Sequence, residues 1–553
     1  MRRIGGTGDW SGGLLGLLVL IFIAFPLGQL LVEATASGGV FLQPYREAFA
    51  SPVAWSAVWG TLWLTVVSVL IGVPLATLIA WITSSSDAPL MRWLSAVPTV
   101  SLALSPLVGA VGWLVLLAPR VGILNLLLRN LLGLEVDTGP LNAFSIPVVV
   151  MLMSFYVVPY VYGPVQAGFV QSDASLIEAS RVCGASAVSA FFTITIPMLR
   201  PAILAGALIA GVMAASMFAI PLILSSGTGL RVMPTQIYQY VNQEGRPGPA
   251  TALASLLSLA TILATVVYLR AISGASFVTV TGKGARRIRT ALGRWRWPAA
   301  LLVLGFVCLS FLVPLASLIY LSLVGFWSGN IFSQPVSLEQ YRKLLDFPAA
   351  MPALLNSTWL SAAGATLALI LGLIISYRRM RRPNINNRVL AFASALPLGV
   401  PSIVLGLAFL FAFTGAPFPL YGTAAILVLA YTVHVLPIAL RNSEAGLRQI
   451  APELEEAGRV CGDTQAGVMR RLLAPLMKQP LLAAWGLTFI ILFRDVSISV
   501  LLYTPATTPS AVALLSIFDQ GWITGAAAYS VVVTAISIVV VAGVMAVTSR
   551  SEA

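Results

Sequence analysis

The chain has 553 residues, of which 58% are hydrophobic and only 9% are charged, and its mean hydropathy is +0.93. This composition excludes an ordinary soluble globular protein, so the bilayer is expected to be the main solvent of the chain. The formal net charge of +13 suggests a nucleic-acid partner at first sight, but the distribution of the basic residues argues against one.

Twelve apolar stretches are long enough to cross a bilayer, since a spanning helix needs roughly 20 mostly apolar residues. The gaps between them are too short to build a soluble core. The predicted fold class is therefore an all-α polytopic membrane protein with about twelve transmembrane helices. In chain order the predicted spans run at about 12–32, 56–82, 93–118, 142–170, 202–225, 249–269, 298–324, 354–377, 389–413, 421–440, 481–503 and 525–548.

The first predicted span also has features of a cleavable signal peptide, namely two early arginines, an apolar run and a short Ala-Thr-Ala motif. The apolar run from Leu14 to Val32 is longer than a usual signal core. We therefore expect retention rather than cleavage, and either outcome leaves the other eleven spans oriented in the same way.

The basic residues are distributed unevenly between the two sides of the predicted spans. With a cytoplasmic N-terminus, 24 of the 32 Lys and Arg residues fall on the cytoplasmic side and 7 on the other, while Arg494 lies within a span. This asymmetry follows the positive-inside rule and predicts that both termini are cytoplasmic. The basic residues then report topology and contact with anionic lipid, and no nucleic-acid partner is predicted.

Residues that carry catalysis or hold a metal are scarce. The chain has three cysteines and a single histidine, His434, so neither a disulfide framework nor a metal site is expected. Nucleoside triphosphate hydrolysis needs a phosphate-binding loop, and Gly282-Lys283-Gly284 lacks both the hydroxyl residue and the upstream glycine of that motif. We predict no catalytic residue and no cofactor in this chain.

Two polar phrases between the spans repeat each other at an offset of 278 residues, with Arg-Val-Cys-Gly at 181–184 and again at 459–462. Such self-similarity predicts an internal duplication into two six-helix halves. The expected division is a first half at 1–273, a basic cytoplasmic linker at 274–297 and a second half at 298–553. Because six is even, both halves begin on the same side, and both phrases face the cytoplasm.

Each phrase is predicted to form a short amphipathic helix that ends at Gly184 or Gly462. Pro452 suits the first turn of the second helix, and acidic residues early in it complement the helix dipole. Helices that lie on lipid tend to be rich in Lys and Arg, so these carboxylate-led helices favour contact with a protein. Cys183 and Cys461 are expected to pack as small apolar residues beneath them.

The two phrases resemble the EAA loop of bacterial ABC importer permeases, in which Glu-Ala, Gly and Pro recur at this spacing. The second copy departs from the pattern at Gly458, Leu472 and Ala474. The residues that carry the resemblance are Glu178, Ala179, Gly184 and Pro197 in the first copy and Glu456, Ala457, Gly462 and Pro475 in the second.

The resemblance covers the whole chain, as two fused permease halves, and implies the type I permease fold. It implies that coupling loops at about 172–201 and 441–480 form helices that dock into an ATP-hydrolysing partner. The implied partners are two copies of an ABC ATPase subunit, which carry ATP and Mg, and a periplasmic or lipid-anchored solute-binding protein. The implied location is the bacterial cytoplasmic (inner) membrane, where the chain acts as a transport subunit and not as an enzyme.

Arg494 and Asp495 are the only charged residues within the predicted spans. Intramembrane charge is costly, so both are candidates for the translocation pathway or its outer gate, with a brace between helices as an equal alternative. The stretch from Leu492 to Pro505 also resembles ferric-iron-type permeases. Ferric iron is therefore the first expectation for the substrate, and thiamine, polyamine, phosphonate or an inorganic anion are the alternatives.

Two other classes of protein remain as rivals. A secondary transporter usually needs buried acids or a proton relay, and only Asp495 qualifies. A membrane-embedded enzyme needs clustered catalytic residues at one depth, and the sequence offers none. The importer permease is the favoured interpretation.

Overall fold

The computed structural model describes ten stretches of the chain and every element in them is helical. The stretches are residues 8–36, 40–89, 101–133, 137–171, 179–180, 182–225, 227–274, 292–328, 334–381 and 384–549. Glu178 and most of the predicted linker lie outside them.

The first half contains eleven described helices, and serine caps begin two of them. Ser51 accepts from the Val53 N–H and Ser105 from the Val108 N–H, each just before a proline in the first turn. The helices are α1 Gly8–Ala36, α2 Gln43–Phe49, α3 Pro52–Ser85, α4 Pro106–Leu117, α5 Ile123–Leu132, α6 Ile146–Gln171, α7 Ala187–Ala190, α8 Ile196–Ala215, α9 Ala219–Leu224, α10 Met233–Asn242 and α11 Pro247–Gly274.

The second half repeats this order with fourteen described helices, because some of its segments are divided. They are α12 Arg296–Val307, α13 Val313–Ser322, α14 Glu339–Asp346, α15 Ala350–Arg381, α16 Ile385–Ala395, α17 Ser402–Thr414, α18 Ala424–Arg448, α19 Pro452–Val460, α20 Gln465–Val468, α21 Ala474–Leu476, α22 Lys478–Phe493, α23 Ser499–Leu502, α24 Ser510–Asp519 and α25 Ile523–Ser549.

The described helices account for the membrane-spanning segments expected from the sequence. Eight of them are long and apolar enough to cross a bilayer, and two bent pairs raise the number to ten if each pair is one span. The other two predicted spans fall on α1 and on the short α4, although residues 93–100 lie outside the described stretches. The predicted all-α polytopic fold is confirmed.

Two predicted spans are not single straight helices, and this corrects the expectation. In the ninth, α16 and α17 meet at 114°, because Pro397 and Pro401 remove backbone donors at the junction. The eleventh was expected to be helical to residue 503, but α22 ends at Phe493 and only the short α23 follows. Its start is also bent, by 70°, between α21 and α22.

The two halves pack in the same way. In the first half α6 and α8 both pack on α3, while α11 lies against α8; in the second, α18 and α22 pack on α15, and α25 lies against α22. Glycine permits the closest crossing, since a Cβ on Gly372 would stand 2.9 Å from the backbone of Ala439. The small residue lets α15 and α18 approach at backbone distance.

The first helix of each half contacts the opposite half. Helix α1 packs on α17, and α13 packs on α4. At the second crossing Ser317 donates to the Gly112 carbonyl at 3.0 Å, and Pro314 leaves no room for a side chain on Gly112. These exchanged helices hold the two halves together.

One face of α3 shows how the bundle meets lipid. Trp55, Trp59 and Leu70 are each more than half exposed, whereas Ala57 and Leu64 on the opposite face are buried. Large apolar residues outside and small ones inside are the pattern of a helix that packs on neighbours within a bilayer.

Candidate functional site

The second repeated phrase forms a short helix, α19, followed by a tight turn. Pro452 occupies its first turn, acidic residues begin it, and Arg459 lies in its last turn. Gly462 then adopts φ +89°, in the left-handed region that glycine enters without steric cost. The helix ends there because continuation would need a right-handed backbone.

Hydrogen bonds across this turn form a Schellman motif. The Asp463 N–H donates to the Gly458 carbonyl at 3.1 Å, and the Gly462 N–H donates to the Arg459 carbonyl at 3.0 Å. These are the two bonds expected when a glycine at C′ terminates a helix. A Cβ on Gly458 would stand 3.1 Å from Val468, so the small residue at this position also allows α19 to pack closely on α20.

The first phrase ends in the same turn. Gly184 adopts φ +88°, and the Ala185 N–H donates to the Ser180 carbonyl at 3.0 Å, which is the bond equivalent to that between Asp463 and Gly458. Ala179 accepts from the Cys183 N–H at 3.0 Å, as Ala457 accepts from the Cys461 N–H. The two turns therefore share one backbone geometry at the offset of 278 residues.

The prolines that follow each turn explain a widened helical turn before them. A π-helical turn spans Phe191–Thr195 in the first half and Met469–Leu473 in the second, and each ends two residues before Pro197 or Pro475. Proline lacks an N–H and its ring crowds the carbonyl four residues earlier, so the turn opens to the wider π form. A third π turn, Cys308–Leu312, precedes Pro314 in the same way.

Both turns lie on one face of the protein. Helix α8 starts from the first turn, and α11 returns alongside it, so Tyr268 near the end of α11 is close to the level of that turn. Arg441, near the end of α18 that leads to the second turn, donates to the Tyr268 hydroxyl at 3.2 Å and stacks on its ring at 5.4 Å. The face that carries the turns is hereafter the loop face.

The tips of the two turns expose apolar side chains. Val182 is 88% exposed and Val460 is 87% exposed, and the two occupy the same repeat position. Glu456 and Ala457 are exposed beside Val460. Matched exposed valines on one face are typical of a surface that a protein partner covers.

The expectation for the cysteines of the repeated phrase is wrong. Cys183 and Cys461 were expected to pack beneath the helices, but both are exposed. Each is the residue immediately before the turn glycine, and the turn directs it outward with the neighbouring valine. Two native thiols therefore mark the tips of the two turns.

A buried ion pair that the sequence did not predict ties α19 to α15. Arg381 Nε donates to Glu455 Oε1 at 2.6 Å, with the side chains 17% and 7% exposed, and the Tyr377 hydroxyl donates to Glu455 Oε2 at 3.1 Å. Arg381 also donates to the Ile450 carbonyl at 3.2 Å. The residue at the same repeat position in the first half is Ile177, so only the second half carries this anchor.

Small apolar residues complete the base of the second turn. Tyr377, Leu447, Ile450, Val468, Leu473 and Met477 form a separate buried cluster at the ends of α15 and α18. The turn is thus fixed to two long membrane helices on one side and continues into α22 on the other.

Arg494 and Asp495 lie just beyond the end of α22, where the structure gives both backbone partners. Arg494 donates to the carbonyl of Leu102 in the opposite half. Asp495 Oδ1 accepts from the Ile498 N–H at 2.9 Å and so caps the turn into α23. The two side chains do not form an ion pair with each other in the described structure, and their role in a pathway stays a prediction.

The end of α22 has a counterpart in the first half. Helix α8 ends at Ala215, which is 278 residues before Phe493. The residues that follow it, Ser216 and Met217, are uncharged, so the link from Arg494 to the opposite half occurs once. Both helices therefore cross from the loop face and end at the same repeat position on the far face.

Comparison with known proteins identifies the family. The family described as "Binding-protein-dependent transport system inner membrane component" matches residues 68–271 and 364–551, one match in each half. The chain belongs to this family. Membership agrees with the predicted type I permease fold and with the predicted duplication of the permease unit.

Curated relatives of this family member include ferric transport permeases. The chain is 28% identical over 371 residues to "Ferric transport system permease protein FbpB" of Actinobacillus pleuropneumoniae, covering 66% of this chain and 53% of that protein. It is 26% identical over 364 residues to "Fe(3+)-transport system permease protein FbpB 2" of Haemophilus influenzae, covering 64% and 66%. The matches span about half the length of the first two curated relatives.

Another relative is named after a different solute. A Salmonella paratyphi A protein named for 2-aminoethylphosphonate transport, PhnV, is 27% identical over 228 residues, which cover 41% of this chain and 85% of that protein. The names of the relatives thus divide between a metal ion and a small zwitterion.

Proposed function

We propose that this member of the family is the membrane-spanning permease subunit of an ATP-driven importer. The observation that carries the proposal is the pair of glycine-centred turns on the loop face, each with an exposed valine at its tip. Each turn leads directly into a helix that crosses to the far face. A permease driven by a two-fold motor needs two equivalent docking elements of this kind.

In this proposal two copies of an ABC ATPase subunit bind the loop face, one at each turn, and carry ATP and Mg. Ala179, Gly184 and Pro197 shape the first docking element, together with Glu178, and Ala457 and Gly462 shape the second. The remaining second-loop residues assigned to docking are Glu456 and Pro475. Hydrolysis takes place on the partner, since this chain has no phosphate-binding loop.

Movement of the turns reaches the far face through α8 and α22. These helices have 20 and 16 residues, which correspond to about 30 Å and 24 Å of rise. A helix of that length behaves as a rigid element, so displacement at its start is transmitted to its end. At the end of α22, Arg494 contacts the opposite half, and this contact is the proposed gate.

The loop face is assigned to the cytoplasm, together with both termini and the linker at 274–297. The far face then receives the solute from a binding protein outside the bacterial inner membrane. The support for this orientation is the concentration of Lys and Arg on the loop side of the spans. The halves at 1–273 and 298–553 each supply one six-helix unit.

Ferric iron is the proposed solute, supported by the names of the ferric relatives and the likeness of residues 492–505 to ferric permeases. Expression of the chain with its ATPase subunit and binding protein in cells deficient in iron uptake is expected to restore accumulation of radiolabelled ferric iron. Removal of the ATPase subunit is expected to abolish that accumulation.

Uptake that persists without the ATPase subunit would instead support a secondary transporter and contradict the proposal. Accumulation of labelled 2-aminoethylphosphonate without accumulation of iron would retain the importer and overturn only the assignment of iron. A chain with the inactive pair of turns described in the Discussion serves as the matched control.

A further inference from the structure

A polar cleft of about 560 Å³ opens on the far face of the first half. It lies between the start of α3, the loop after α9 and helix α10. The residues that define it are Ser51, Ser225, Arg231, Gln236, Tyr240 and Arg246. None of them belongs to the turns on the loop face, so the cleft is separate from the docking elements.

Positive charge dominates the rim of this cleft. Arg231 is exposed and forms no ion pair with any described residue, whereas Arg246 lies 3.6 Å from Glu244 and above the ring of Tyr240. Ser51 is the N-cap of α3, so the positive end of a 34-residue helix also faces the cleft. A helix N-terminus beside a free guanidinium attracts an anionic group.

Unpartnered polar atoms line the cleft wall. Gln236 is 2% exposed, yet its Oε1 has no hydrogen-bond partner among the described residues, and the same holds for Ser225 Oγ. Leaving a buried acceptor unsatisfied is costly. A bound molecule with a hydrogen-bond donor would satisfy Gln236.

The fold itself does not require a polar residue at this place. The Met233 N–H donates to Thr61 Oγ1 at 2.7 Å, and the Ser510 N–H donates to Ser357 Oγ at 2.6 Å, so α10 and α24 begin at equivalent positions. Counting onward at that offset, the counterpart of Gln236 is Ala513.

The counterpart of Tyr240 in the second half is Ile517. Ala513 and Ile517 are fully buried and apolar, at 1% and 0% exposure. The repeat position therefore packs without polar atoms in the second half. The glutamine and tyrosine of the first half serve the cleft and not the packing of the helix.

We propose that this cleft binds a small solute that carries both an anionic group and a hydrogen-bond donor. Arg231 and the N-terminus of α3 bind the anionic group, and Gln236 Oε1 accepts from the donor. The site occurs in the first half only, and it rests on the proposed function solely for the assignment of the cleft to the outer side of the membrane.

The purified full chain, without ATPase or binding protein, is titrated calorimetrically with 2-aminoethylphosphonate, inorganic phosphate and ethylamine. Saturable binding is expected for the two anions, with 2-aminoethylphosphonate the tighter, and no binding is expected for ethylamine. Arg231→Gln is expected to weaken binding of 2-aminoethylphosphonate by about tenfold to a hundredfold, and Gln236→Ala by roughly threefold to tenfold.

Arg342→Gln is the matched control, because Arg342 is an exposed arginine on α14, before the far-face start of α15, and lies outside the cleft. Gln236→Ala copies the residue of the second half and is expected to retain the melting temperature of the parent chain. The proposal is overturned if neither anion binds, if ethylamine binds as tightly, or if Arg231→Gln binds like Arg342→Gln.

A cleft that docks a protein instead of a small solute would give a different result. Neither probe would then bind, while Arg231→Gln would weaken capture of the solute-binding protein, and this outcome also overturns the proposal. Because the titration omits the ATPase, its failure leaves the docking turns untested and is distinguishable from failure of the proposed function.

Discussion

Valine at both Gly184 and Gly462 is expected to abolish ATP-driven uptake while the chain still inserts into the membrane. The two glycines adopt φ +88° and +89°, and a Cβ on either would meet no atom within 4 Å. The cost of substitution is therefore conformational, about 1–2 kcal/mol for an ordinary residue and more for a β-branched one. Loss of the left-handed turn redirects the exposed tips away from the partner.

Uptake and ATPase activity are measured together in proteoliposomes. Each single valine variant is expected to lower uptake per ATP hydrolysed, and the double variant to lower it by at least about tenfold, the factor equivalent to 1.4 kcal/mol. Asparagine at both positions is the control, because asparagine tolerates the left-handed conformation and is expected to retain most of the uptake. Normal coupling in the double valine variant would eliminate the docking role of the turns.

Removal of the Glu455 carboxylate by alanine is expected to have the second largest effect. Arg381 would lose its charged partner while only 17% exposed, and an unpaired, largely buried charge costs about 2 kcal/mol or more. Helix α19 would then separate from the end of α15. We expect faster hydrogen exchange at 452–460 and ATP hydrolysis that continues with reduced uptake.

The neighbouring pair of Arg379 and Glu444 provides a matched comparison. It has the same 2.6 Å separation and starts from the same helix end, but Arg379 is 46% exposed. Exposed pairs contribute about 0.2–1 kcal/mol, so Glu444→Ala is expected to change coupling little. Glu455→Gln is expected to restore part of the coupling, since the amide oxygen still accepts from Arg381. Equal effects of Glu455→Ala and Glu444→Ala would show that the buried pair has no special role.

Patterns local in the sequence predicted much of this structure. Apolar runs located the membrane helices because burial in lipid depends on composition over about 20 residues. The repeated glycines indicated the turns, since a helix followed by glycine ends in a left-handed cap. Prolines two residues after each π turn were equally visible, and they are the signal for that distortion that the sequence analysis did not use.

Contacts between distant residues were not predictable in this way. Arg381 and Glu455 are 74 residues apart in the chain, and no local pattern selects Glu455 over the adjacent Glu456. Hydropathy also failed at Phe493, where an apolar run continues although the helix ends. The polar cleft depends on side chains from α3, the loop after α9 and α10, which only the fold brings together.

Reactivity of the native thiols tests the docking of the ATPase most directly. Cys183 and Cys461 are exposed at the turn tips, and Cys308 lies in the apolar segment between α12 and α13. Chains that retain one cysteine each are labelled with a membrane-impermeant maleimide, with and without the co-eluting ATPase subunit. Labelling of Cys183 and of Cys461 is expected to be fast in the chain alone and strongly slowed in the complex, while Cys308 reacts slowly in both. Equal labelling rates at Cys183 and Cys461 in the chain alone and in the complex would contradict the account.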